Sequence, residues 1–319
     1  MWRPSIILLA TVIPALLPGT RTATAPASLA PRDSALLGRW DIVIQTPDGA
    51  RPSWLELEDS GRGITVGRLV GIVGSARPIS RVMVDGDSIH FAIPPQWEDG
   101  DNDLVVDGRL TGERFAGSML FPDGKRYTWS GARAPALRRR HTPAWGTPIQ
   151  LLHANDLGGW RAQGGEANQW QVKNGVLSSP HSGANIETEQ KFTDFKLHIE
   201  FRYPKESNSG VYLRGRYEVQ IQDDYGLPPW NDRFSGIYGF IEPTIIAAKP
   251  AGQWETYDVT LIGRTVTVVA NGTRVICERE IPGITGGAID SDEGAPGPLL
   301  LQGDHGPVEF RNIVITPAR

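Results

Sequence analysis

The sequence predicts an all-β chain built from two consecutive antiparallel units. Three observations carry this. Short apolar runs with a two-residue alternation recur along the chain, while no 3.6-residue apolar stripe persists beyond about two turns. Asp-Gly and Asn-Gly pairs punctuate these runs, the strongest short-range signal for a hairpin. Glycine (37) and proline (25) are abundant among the 319 residues without a collagen-like or low-complexity period, so they read as tight turns.

At roughly 100–200 residues per domain, the length suits two domains. A hydrophobic content of 39%, with ten tryptophans, is enough to fill real cores. The 32 basic and 36 acidic side chains leave a net charge of −4, which argues against a cationic face for nucleic acid. The single Cys277 excludes an intramolecular disulfide and any multi-thiolate metal site.

The elements follow in order. Met1-Trp2-Arg3 leads into an apolar run from Ile6 to Leu17 and then into small residues that include Ala23-Thr24-Ala25. The run is short for a bilayer span and fits a secretory signal peptide, residues 1–25 with cleavage as late as 30. The expected mature chain is secreted or periplasmic, without a membrane anchor. Residues 33–134 carry eight short runs separated by Asp48-Gly49, Asp85-Gly86, Asp107-Gly108 and Asp123-Gly124, predicting a smaller antiparallel β-barrel or sandwich. Residues 135–144 form a linker whose Arg138–Arg140 cluster is expected to be solvated. Residues 145–319 are again strands, among them Phe195–Arg202 with its strict alternation and a hairpin closed by Asn271-Gly272. About 175 residues of strand suit a two-sheet jelly-roll sandwich. The acidic run Asp290–Glu293 lacks calcium-loop spacing and is expected to be a solvated loop.

Chemistry-bearing residues gather in two segments. In Tyr217–Asp223 alternation puts Tyr217, Val219, Ile221 and Asp223 on one face and Glu218, Gln220 and Gln222 on the other. A carboxyl flanked by amides, with Arg214 in the preceding strand, suits sugar hydroxyls, each of which needs a donor and an acceptor. In the second segment the apolar run after Gly297 ends in Gln302, and Asp304-His305 sits in a glycine-bounded turn. A histidine there is placed as a general acid or base would be.

These stretches are similar to a known family. Ser-Asn-Ser-Gly-Val-Tyr-Leu-Arg-Gly-Arg-Tyr-Glu-Val-Gln-Ile (207–221) resembles the central motif of the 3-keto-disaccharide hydrolase family, and Gly297–Ile313 resembles its C-terminal motif. Phe234–Pro243 and Trp254–Asn271 resemble the segments between, so the resemblance covers roughly Trp145–Arg319. It implies a concanavalin A-like jelly roll that cleaves glycosides whose C3 hydroxyl has been oxidised to a ketone. Such a ketone acidifies the C2–H, so one base can form an enolate and the C1 substituent can leave by β-elimination, with hydration completing a net hydrolysis. That route dispenses with the paired carboxylates of ordinary glycosidases. Laminarinase-type glucanases on the same sandwich alternate two glutamates and an aspartate, where this chain has Glu218, Gln220 and Gln222.

On this reading His305 and Glu218 are the expected catalytic pair, with Arg214, Gln220 and Gln302 orienting oxygens. Tyr238 is a candidate oxyanion donor, Trp230 a rim residue for a sugar ring, and Asp223 a weaker candidate because it faces away from Glu218. No cofactor is certain; a divalent metal could polarise the ketone, with Glu218 and His305 as part of its site. The expected partner is an oxidised sugar or glycoside. The competing reading is a non-catalytic carbohydrate-binding module on the same fold, and a third is a scaffold or adhesion protein dominated by the N-terminal unit.

Overall fold

The computed structural model describes residues 35–139, 141–163 and 168–319, so the expected signal peptide lies outside the described residues. Among them no helix is long and apolar enough to cross a membrane. Eight strands, from Gly38–Thr46 to Arg126–Arg133, form a closed antiparallel barrel in sequential order. Closure comes from the first strand pairing with the last, Trp40 opposite Arg133. Of the two architectures compatible with the sequence, the barrel is thus the one adopted, and it leaves no unpaired strand edge. Its interior holds Trp40, Ile42, Leu55, Phe91, Phe115 and Trp129, residues the period-2 pattern points inward.

The C-terminal part is a two-sheet jelly-roll sandwich. One sheet runs in the order Trp160–Ala162, Ile186–Phe192, Gly297–Leu301, Asn208–Leu213, Tyr217–Gln222. The other runs Gln171–Lys173, Val176–Ser179, Val308–Pro317, Phe195–Arg202, Glu255–Ile262, Thr265–Ala270, Thr273–Glu280, with Ile149–Gln150 paired onto Val308–Pro317. Phe201, Phe234, Tyr257 and Phe310 pack between them. Asn271 and Gly272 both take positive φ (50° and 79°), as the type I′ turn of their hairpin requires.

Of two segments expected to be solvated, the linker keeps Arg138 and Arg139 exposed though paired, whereas the acidic run is held through Asp290 and a buried Glu293. In the linker, Arg138 pairs with Glu280 and Arg139 with the buried Asp194, while the Leu137 carbonyl sits against Gly263, where any Cβ would clash. In the acidic run, Asp290 takes a two-pronged bond from the buried Arg216, and Glu293 is fully buried, accepting from Tyr217 Oη (2.8 Å) and Arg264 Nη1 (3.1 Å). The barrel adds to this: Ser291 Oγ donates to the Ile42 carbonyl, and Trp54 and Val70 of the barrel belong to the jelly-roll core.

At this junction Asp41 of the barrel meets Glu293. Burial first, and then the Glu293 charge, push the Asp41 carboxyl up to about 9. A carboxyl protonated in the fold but ionised in the unfolded chain stabilises fully below its ordinary value of 3.8, and that contribution is lost as pH climbs through about 9. Asp41→Asn is therefore expected to flatten the fall of melting temperature between mildly acidic and alkaline pH. An unchanged slope in thermal melts across that range would refute the raised Asp41 carboxyl.

Candidate active site

The geometry begins with the pairing of Asn208–Leu213 and Tyr217–Gln222, in which Tyr212 lies opposite Glu218 and Gly210 opposite Gln220. Arg214 (φ 55°) and Gly215 (φ 67°) make the tight turn between the strands. Tyr217, Val219 and Ile221 enter the core, so Glu218 and Gln220 occupy the other face. Tyr217–Gln222 is the last strand of its sheet, yet its backbone is satisfied by the following loop. Ser235 N–H donates to the Gln220 carbonyl, Gln220 N–H to the Gly236 carbonyl, and Tyr238 N–H to the Glu218 carbonyl.

Glu218 is only 3% exposed. Tyr212 Oη donates to its Oε2 (2.9 Å) and also approaches the Gly286 carbonyl, while the Glu218 N–H donates to Thr285 Oγ1. Space for the carboxyl exists because residue 210 is glycine: a Cβ there would stand 2.2 Å from Glu218 Oε1. Desolvation pushes the Glu218 carboxyl up to about 8, against the opposing pull of the Tyr212 hydrogen bond and of His305. It is a carboxylic acid at neutral pH.

His305 stands close enough for its charge to act on Glu218. Its Nδ1 is held by Asp304 Oδ1 at 2.5 Å, and that hydrogen bond raises the imidazole above its ordinary value of 6.5 despite partial burial. The turn is fixed in turn by Ser182 Oγ donating to the Asp304 carbonyl and Ser207 Oγ to the Pro307 carbonyl. Two further groups are left incomplete: Gln220 Oε1 and Gln302 Oε1 are buried with no hydrogen-bond partner. Gln302 is tied to the same strand pair by its N–H, which donates to the Gly210 carbonyl. Buried acceptors without donors are costly and rare. Tyr238 is half-buried; burial and the nearby Glu218 raise its phenol, which keeps it a proton donor.

The remaining expected residues are not brought into this group. Arg214 is buried on the core side, where Nη2 donates to Tyr217 Oη and the Gly263 carbonyl, because the left-handed turn carries its side chain past the end of the sandwich rather than onto the Glu218 face. Asp223 lies beyond the strand end and accepts the Glu206 N–H. Asp224 instead extends the row of Glu218, Gln220 and Gln222, accepting from Gln222 Nε2 and Phe234 N–H. Trp230 is an exposed loop residue, 59% accessible. Among the described residues no group of three or more His, Cys, Asp or Glu side chains is arranged to hold a metal ion.

A search of curated proteins returned no match. Among solved structures, a "putative glycosyl hydrolase" of Parabacteroides distasonis is 31% identical, covering 56% of this chain and 92% of its own, with a TM-score of 0.46. A second protein of that description from the same organism is 19% identical over 54% of this chain and 94% of its own, with the same TM-score of 0.46. Residues 147–316, more than half of the chain, match the model of a family described as the 3-keto-alpha-glucoside-1,2-lyase-like domain, and the chain belongs to that family.

Proposed function

We propose that the protein is an exported enzyme that cleaves the glycosidic bond of 3-keto-glycosides or 3-keto-disaccharides by elimination across C1 and C2. A carbohydrate-active role follows from the family, and its description as a 1,2-lyase agrees with such an elimination. The observation that carries the reading is a buried Glu218, held by Tyr212, near an imidazole oriented by Asp304.

In the proposed route the Asp304 bond to Nδ1 leaves Nε2 of His305 free to take the C2 proton. The electron pair passes through the enolate, whose C3 oxygen receives a hydrogen bond from the Tyr238 phenol. The pair then returns to form the C1–C2 double bond as the C1–O bond breaks. Glu218, with Oε2 held by Tyr212, gives its proton to the departing oxygen from Oε1. Addition of water across the double bond gives net hydrolysis. Gln220 and Gln302 orient sugar oxygens through their amides, since each hydroxyl needs a donor and an acceptor. No step uses a metal ion.

Incubation with a 3-keto-glucoside bearing a chromogenic leaving group tests this directly. Release of the chromophore is expected from the 3-keto compound and not from its unoxidised parent. His305→Ala is expected to slow release by about 10²–10⁴-fold, the range for a positioned general base. Binding of the sugar without release would identify a carbohydrate-binding module instead.

A further inference from the structure

We infer that the N-terminal barrel completes this site and that its Trp97 is a specificity-determining platform for a ring attached at C1. The inference rests on the proposed 3-keto-glycoside reading and extends it to the leaving group.

The barrel meets the jelly roll beside Glu218. A Cβ on Gly239 would strike Ser75 and the Ala76 backbone, and one on Gly286 would strike the Gly74 carbonyl, 2.2 Å away. Both glycines adjoin the site: Gly239 follows Tyr238, whose N–H bonds the Glu218 carbonyl, and the Gly286 carbonyl meets the Tyr212 hydroxyl that holds Glu218. Trp97 stands in the same contact. Its indole edge lies against Gly74, where a Cβ would come within 2.8 Å of Cδ1, and it is near enough to the Tyr238 hydroxyl to favour the ionised phenol.

The loop around Trp97 is rigid although the indole is not buried. Glu98 binds Arg77 through both oxygens (2.6 and 3.2 Å), with both side chains under a tenth exposed. Its Oε2 also accepts the N–H groups of Gln96 and Trp97. Gln96 and Ser75 exchange two further bonds, Gln96 Nε2 to Ser75 Oγ and Ser75 N–H to Gln96 Oε1. All this ordering displays a tryptophan that is 68% exposed. An indole left mostly in water forgoes the burial that would stabilise it in the barrel's own core, so folding of the barrel alone does not account for its place. A rigid, exposed aromatic recognises the apolar face of a sugar ring with little entropy left to lose. Trp97 also walls a cavity of about 270 Å3 that is lined by barrel residues, among them Arg51, Asp99 and Tyr127.

The test compares wild type, Trp97→Ala and Trp97→Phe on a 3-keto-disaccharide and on methyl 3-keto-glucoside, which has no ring to stack. Trp97→Ala is expected to raise KM for the disaccharide roughly three- to tenfold relative to its KM for the methyl compound, with any change in kcat shared by the two, and Trp97→Phe is expected to recover most of that difference. Equal changes for both compounds, or none, overturn the inference and leave the proposed chemistry standing. If wild type cleaves neither compound, that chemistry falls, and the platform is read from 19F spectra of 5-fluorotryptophan protein. A Trp97 resonance, identified by its loss in Trp97→Phe, that shifts with the disaccharide and not the methyl compound supports the platform, and an unmoved resonance overturns it too.

Discussion

Glu218→Gln is expected to lower turnover of a 3-keto-glycoside by about 10²–10⁴-fold while leaving the fold intact. Glutamine retains the size of the side chain and a carbonyl oxygen for the Tyr212 hydroxyl, so the buried hydrogen bond survives. What it lacks is the proton. In wild type the acid must be protonated and the base neutral. Activity should therefore rise as pH climbs through the raised His305 value, above 6.5, and fall as pH passes about 8, where Glu218 ionises. The variant should lose the alkaline limb and keep the acid one, a signature that mere loosening of the site would not produce. Stability depends on the same proton. Glu218 goes from an ordinary 4.5 in the unfolded chain to about 8 in the fold, so its contribution is complete below 4.5 and is lost as pH rises through about 8. The variant should show a shallower decline in melting temperature over that interval. A rate equal to wild type, or an alkaline limb that persists, would remove Glu218 from the chemistry.

The parts of the site legible in the sequence were those governed by strand parity. Alternation placed Glu218 and Gln220 together, and the glycine-bounded turn singled out His305. Parity also held the means to find Asp224, next in the Glu218, Gln220, Gln222 row, and to exclude Asp223. Tyr212 required one further step, counting back across the turn to its partner Glu218. Arg214 was misplaced because its left-handed φ redirects the side chain, and nothing in Leu-Arg-Gly-Arg announces which residue takes that conformation. The contacts of Trp97 and Asp41, and the burial of the Asp290–Glu293 run, were illegible in principle. Each depends on how the barrel docks onto the jelly roll, with partners such as Ser291 and the Ile42 carbonyl 249 positions apart. Local pattern registers a strand's two faces but not which distant surface will cover one of them.

The same carboxyl gives a second large effect through a residue with no side chain. Gly210→Ala adds one methyl group to a strand whose φ at that position is not in the left-handed region, so the backbone accepts alanine without strain. The nearest obstruction is Glu218, with Oε1 2.2 Å and Cδ and Cγ 2.9 Å from the new carbon. The strand cannot retreat cheaply, because the Gly210 carbonyl is bonded by Gln302 N–H (3.0 Å) and Ser209 Oγ donates to the Gln302 carbonyl (2.8 Å). The carboxyl must therefore swing away, breaking the Tyr212 bond and leaving a buried hydroxyl and a displaced acid. Overpacking of this kind costs about 1–3 kcal/mol, and turnover should fall nearly as far as in Glu218→Gln. A double mutant separates the clash from general damage, since residues in direct contact do not add. Shortening the acid with Glu218→Ala in the Gly210→Ala chain should restore part of the lost stability, because the colliding atoms are gone. In the Glu218→Gln background, adding Gly210→Ala should cost little further activity. If instead the two substitutions lowered activity independently and shortening residue 218 restored nothing, the absent side chain at 210 would not be what seats the acid.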